Sequence, residues 1–145
     1  MYERPTKNRK EFIPFEVGIH QAKIEQVYMT TSKTGRDMFK LKIVGEESEI
    51  GFAYLVFGNR YAKENLNYLL ASIEDNGVEV PNIEFGYTQE TVLFLTGKPV
   101  FIEVKEQLFH DRKQRVITGF LTLEEIETAT SEVVVPSEEE ENSIW

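Results

Sequence analysis

Between Met38 and Val44 apolar residues recur at every second position, with Phe39, Leu41 and Ile43 on one side and Met38, Lys40 and Lys42 on the other. By Arg60 that rhythm has given way to a helical one. From Arg60 to Ile73 the apolar positions Tyr61, Ala62, Leu66, Leu69, Leu70 and Ile73 fall on one face of a helix, with Asn59 available as a cap and Asn76-Gly77 as a stop. A chain that must bury a period-two face and a period-3.6 stripe in one small core has few architectures open to it.

The remaining segments narrow the choice. Val17 to Val27 carries Ile19, Ala22, Ile24 and Val27, a strand pattern irregular enough to predict a bulge near Gln21. Thr30 to Arg36 is a polar turn with Gly35 at a hairpin position. Ile50 to Phe57 is nearly continuous in apolar and aromatic residues and reads as a strand covered on both faces. Beyond the helix, Thr88-Gln89-Glu90-Thr91 is placed to open a short second helix before Val92. Gly97-Lys98-Pro99 is a turn, after which Val100, Ile102 and Val104 alternate with Phe101, Glu103 and Lys105. A polar loop, His110 to Gln114, leads to a last strand from Arg115 to Leu121. Three strands, a helix and two more strands predict an all-β protein with one or two helices, a five-stranded OB-fold barrel with the helix between strands 3 and 4.

Composition and charge divide the chain of 145 residues into a flexible basic arm (1–11), an OB-fold domain (12–123) and a disordered acidic C-terminal tail (124–145). The formal charge of −9 is unevenly placed. Eight of the 25 acidic residues lie between 122 and 145, where there is no Lys or Arg, so residues 1–121 carry 17 acidic against 16 basic residues. A nearly neutral body can present a local basic face to a polyanion. There is no cysteine, which removes disulfides, thiolate metal sites and a Cys nucleophile. No apolar run approaches the length of a membrane span, and Met1 to Pro5 lacks the apolar segment of a signal peptide, so the expectation is a cytoplasmic protein that does not enter a membrane.

In an OB barrel the ligand crosses the second and third strands between the first and last loops. The basic residues concentrate there: Lys33 and Arg36 on the first loop, Lys40 and Lys42 on the second strand, and Lys105, Arg112, Lys113 and Arg115 at or beside the last loop. Lysines alternating with apolar residues are equally the pattern of a solvated strand face. It is the clustering at both loops that predicts a phosphate-neutralising groove. Phe52, Tyr54, Phe101 and Phe109 are the rings available for stacking on unpaired bases. Catalytic residues, a metal site and a cofactor are not expected. His20 and His110 are the only histidines, the densest carboxylates lie in the tail, and no phosphate-cradling glycine loop is present. The tail itself, Glu138, Glu139, Glu140 and Glu141 followed by Asn142-Ser143-Ile144-Trp145, combines an acidic run with a final apolar pair suited to a partner's basic-rimmed pocket.

Three stretches give the chain a resemblance: Ser32 to Met38 entering the second strand, Phe57-Gly58-Asn59-Arg60-Tyr61 leading into Asn65 to Leu70, and Gly97-Lys98-Pro99-Val100 opening the fourth strand. They resemble small phage-encoded single-stranded DNA-binding proteins of Gram-positive hosts, which have an OB fold. The resemblance implies sequence-tolerant binding of single-stranded DNA in phage replication or recombination within the bacterial cytoplasm, as a homo-oligomer with a dimer favoured. The tail resembles the acidic C-terminus by which bacterial single-stranded DNA-binding proteins recruit replication and repair enzymes, with Ile144-Trp145 standing where those end in Pro-Phe. Two other readings stay open on the residues: a protein-interaction module or DNA mimic acting on a host protein, and a strand-annealing protein.

Overall fold

Five strands pair antiparallel in the order β3-β2-β1-β4-β5, where β1 is Gly18–Thr31, β2 Asp37–Gly45, β3 Ile50–Val56, β4 Pro99–Phe109 and β5 Arg112–Leu121. Helix α1 (Ala62–Asp75) follows β3, α2 (Gln89–Leu95) precedes β4, and α3 (Leu123–Val134) follows β5. The computed structural model describes residues 13–134. The basic arm expected over 1–11 and the run from Glu138 to Trp145 lie outside the described residues.

The order strand, strand, strand, helix, strand, strand is as expected, but the sheet is not closed into a barrel. β3 and β5 are its two edges and lie near one another with no ladder between them. Side chains bridge the gap at one level. A Cβ placed on Gly51 of β3 would lie 3.0 Å from Ile117 Cδ1 of β5 and 3.1 Å from the ring of Phe15, which is only 3% exposed. The lead-in to β1 is held there by a hydrogen bond from Ile50 N to the Ile13 carbonyl, 2.8 Å long.

β1 is long enough to serve two partners. Its first part, Gly18 to Lys23, pairs with β4, and the stretch from Ala22 to Thr31 pairs with β2. The β1–β2 register shifts between Ile24 and Gln26, so the bulge lies at Glu25 rather than near Gln21. One extra residue reverses which parity points inward: Ala22 and Ile24 are buried before it and Val27 after it. That reversal is why the sequence of this strand alternates imperfectly.

The core inside the curved sheet is built from Ile24, Phe39, Leu41, Ile43, Val100 and Ile102, with Leu69 and Ile73 of α1 and Leu95 of α2 closing it, all fully buried. Ser72 fixes α1 to the sheet: its buried Oγ accepts a 2.8 Å hydrogen bond from Phe101 N and donates to Phe101 O at 3.3 Å. The segment before α2 adds Tyr87, whose ring stacks on Phe39 with centroids 5.2 Å apart and whose hydroxyl donates to the Thr30 carbonyl at 3.0 Å.

Helix ends follow local chemistry. Asn59 Oδ1 accepts from Tyr61 N at 2.9 Å, so it steadies the entry to α1 although Tyr61 holds the cap position. Gly77, at φ 89°, ends the helix as expected. Thr88 caps α2 through Thr91 N at 3.2 Å, as the sequence pattern suggests. A third helix was not expected, and it corrects the reading of 124–145 as disordered from its first residue. Thr122 and Glu125 form a reciprocal capping box, Thr122 N donating to Glu125 Oε1 at 2.9 Å and Glu125 N to Thr122 Oγ1 at 3.3 Å. Leu123 N also donates to Asp75 Oδ2 at 2.8 Å, tying the start of α3 to the end of α1.

Because the Gly51 Cβ position is already crowded by Phe15 and Ile117, Gly51→Val should destabilise the domain by about 1–3 kcal/mol through overpacking. Urea unfolding would read this as a lower midpoint at unchanged slope. A variant as stable as the parent would show that the β3–β5 gap is looser than these contacts imply.

Candidate nucleic-acid interface

On the outer face of the sheet the register places Tyr28, Lys40 and Tyr54 directly opposite one another across β1, β2 and β3. The next row is Gln26, Lys42 and Phe52. Neighbouring strands lie about 4.8 Å apart, so the two tyrosines stand roughly 10 Å apart with a lysine between them. Tyr54 is 56% exposed and Tyr28 40%, so β3 is not covered on both faces as its composition suggested. Alternation puts Ala53 and Leu55 in the core and leaves Phe52 and Tyr54 outside. Lys40 Nζ sits 4.6 Å from the centre of the Phe52 ring, a cation–π contact that holds the ammonium over the aromatic row. Lys42 Nζ pairs with Glu25 Oε1 at 3.0 Å, and the carboxylate is there because the bulge turns Glu25 outward beside Gln26. The Tyr28 hydroxyl donates to Gln26 Oε1 at 2.7 Å, fixing the ring beside this pair.

The face continues into the gap between the sheet edges. A cleft of about 360 Å³ is lined by Phe52 and Tyr54 on one side and Gln114, Arg115 and Ile117 on the other. Arg115 Nη1 is 3.4 Å from the Phe15 carbonyl, a long contact that leaves most of its donors available. A second cleft of about 300 Å³ lies further along the gap, where Tyr54 meets Asn65 and Tyr68 of α1, Thr118 of β5 and Glu125 of α3. Tyr54 lines both clefts. The gap is thus cationic at one end and acidic at the other.

Lys40, Lys42, Phe52, Tyr54 and Arg115 therefore come together, and the other residues singled out in the sequence do not join them. Lys33 is exposed in the turn between β1 and β2, while Arg36 in the same turn donates to the Gly58 carbonyl and so pins the exit from β3. Phe101 is half-buried on β4 opposite Gln21, seven residues along β1 from Tyr28 and so about 23 Å away at strand rise. Lys105, Phe109, Arg112 and Lys113 stand on the β4–β5 hairpin. The polar loop expected over His110 to Gln114 is a two-residue turn, His110 and Asp111 both at positive φ (51° and 65°), and Arg112 to Gln114 belong to β5. Lys105 lies 4.0 Å from Glu103 on the same strand.

Tyr28 was missed by sequence reasoning. Its signal, alternation within β1, is masked by the bulge three residues earlier. Histidine contributes no second centre near this face: His20 Nε2 donates to the Glu16 carbonyl at 2.7 Å and its ring packs 5.2 Å from Phe15. Among the described residues no group of three His, Asp or Glu side chains is placed to hold a metal ion, and no helix is long and apolar enough to cross a membrane. Compared with models of known families and with curated proteins, the chain matches none.

Glu25 is exposed and Lys42 half-buried, so water still reaches the ion pair and Lys42→Ala should change the unfolding free energy by about 1 kcal/mol or less. Thermal or urea denaturation of the variant is the check, and a larger loss would mean that Lys42 is fixed there for folding.

Proposed function

We propose that this domain is an open variant of the five-stranded OB barrel and that it binds single-stranded DNA without sequence preference across the β1–β2–β3 face. The row Tyr28, Lys40, Tyr54 carries the reading. Two exposed rings flanking an ammonium offer stacking surfaces to two bases and a cation to the phosphate between them, and stacking tolerates any base because every base has a π-face. Phe52, Lys42 and Arg115 extend the same surface toward the cleft between β3 and β5. Duplex DNA fits the face less well, because no helix brings a basic stripe to it and flat stacking platforms need unpaired bases. The resemblance of the turn Ser32 to Met38 and of the entry to α1 to phage single-stranded DNA-binding proteins points the same way, as does the acidic run Glu138 to Glu141 with Ile144 and Trp145, which we assign to capture of replication or recombination proteins. The protein acts in this reading as a non-enzymatic coat, assembling as a homo-oligomer, and needs no cofactor.

Titration of a fluorescent poly(dT) oligomer at two salt concentrations tests it. Tyr54→Ala and Tyr28→Ala should each weaken binding about tenfold, within the ~1–3 kcal/mol that a stacked base contributes. Lys40→Ala should weaken it as well and make the slope of log K against log salt shallower by about 0.7, the loss of one phosphate contact. Absence of binding at low salt would sink the proposal and favour a protein-interaction module or DNA mimic, whereas accelerated pairing of complementary strands would move it to a strand-annealing protein.

A further inference from the structure

The β4–β5 hairpin runs past the sheet. β1 begins at Gly18 opposite Val104, so among the described residues Lys105 to Phe109 have no strand on their far side, and every residue from Lys105 to Arg115 is exposed. The result is a two-stranded arm closed by His110 and Asp111, whose positive φ values make a tight turn of the type that follows the twist of a hairpin. Near its tip stand the most exposed large apolar side chains of the two strands, Leu108 at 72% and Phe109 at 52%.

The register sorts these side chains. Phe109 is opposite Arg112, and Leu108 is opposite Lys113, so each face of the ribbon carries one apolar group beside one cation. This arm has the same pairing on both faces, which suits insertion between two polyanionic strands, with an apolar side chain against a base and a cation against a phosphate on each side. A lipid surface fits poorly, because Asp111 leads the tip and a carboxylate entering hydrocarbon is costly, whereas between two backbones it stays in water with Arg112 and Lys113 next to it in the chain to offset its repulsion from phosphate. The root of the arm also joins the candidate interface, since Arg115 lines the cleft with Phe52 and Tyr54.

We propose that the arm is a wedge that reads and holds open the junction between single-stranded and duplex DNA, Phe109 and Leu108 entering the terminal base step while Arg112 and Lys113 take the diverging backbones. Apolar side chains inserted between base steps are a known way of unstacking a duplex. The inference rests on the single-strand reading above, since the face must hold the unpaired tail for the arm to meet the fork.

The full chain is compared on a dT oligomer and on a forked duplex with a dT tail of the same length and 2-aminopurine in the first base pair. The wild type should bind the fork more tightly, by about tenfold if one apolar side chain stacks, and raise the 2-aminopurine emission at saturation. Leu108→Ser/Phe109→Ser, with circular dichroism confirming the fold, should lose both the fork preference and the emission rise, the ratio of the two affinities being the quantity read. Binding to dT with no emission rise in the wild type, or a variant that opens the fork like the wild type, overturns the wedge and leaves the single-strand reading standing. Failure to bind either DNA overturns both. Wild-type binding to phosphatidylserine vesicles that the variant loses also overturns the wedge, in favour of a membrane contact.

Discussion

The bulge at Glu25 is the constraint from which the rest of the structure follows. A strand of 14 residues that kept one parity throughout would present a single apolar face with only the ordinary twist of a strand, without the sharper local bend that a bulge adds. One added residue bends β1, which pairs with β4 along its first part and with β2 along its second, and both halves still turn their apolar side chains into the same core. The curvature brings β3 and β5 toward each other and creates the hollow that α1 and α2 close. It also swings Glu25 out to Lys42 and sets Tyr28 in line with Lys40 and Tyr54.

Curvature without closure is what gives the outer surface its character. Had β3 and β5 met in a ladder, Tyr54 would lie on a continuous wall. Instead Phe15 and Ile117 occupy the gap, and Tyr54 stands over two clefts, one with Arg115 and one with Glu125. Under the proposed function this polarity matters more than the net charge of the chain. At physiological salt, fields from charges more than about 8 Å away are largely screened, so a phosphate on the face responds first to the charges standing beside it, Lys40, Lys42 and Arg115.

The loops and caps show the same dependence of chemistry on local geometry. Arg36 is a cation in a turn, yet its guanidinium is hydrogen-bonded to the Gly58 carbonyl and joins two connections of the fold. Glu125 is an acid in an acidic stretch, yet it completes the box with Thr122 that starts α3. The box is written in the sequence as Thr122-Leu123-Glu124-Glu125, inside a stretch whose charge otherwise reads as a disordered acidic tail. Similarly, the basic residues after Phe109 looked like a loop because polar residues crowd together there, whereas a turn formed by two non-glycine residues at positive φ needs only His110 and Asp111.

What the sequence determined by itself is the order of the elements as far as β5 and most of the core: period two over Phe39, Leu41 and Ile43, period 3.6 over Leu66, Leu69 and Ile73, and the Thr88 cap all act within a few residues of one another. Lys40 and Lys42 could be named as outward candidates for the same reason, since alternation is local, whereas Phe52 and Tyr54 were candidates only as rings on a strand that read as covered on both faces. Only the tertiary structure decided that Tyr28 joins them, that Arg115 faces them across a gap, that Phe101 lies elsewhere and that the remaining cations of the last hairpin stand on an arm. Those relations depend on pairing register between strands far apart in the chain and on where the register shifts in β1 and between β4 and β5 fall, and the irregular pattern of β1 announces a bulge without fixing its position.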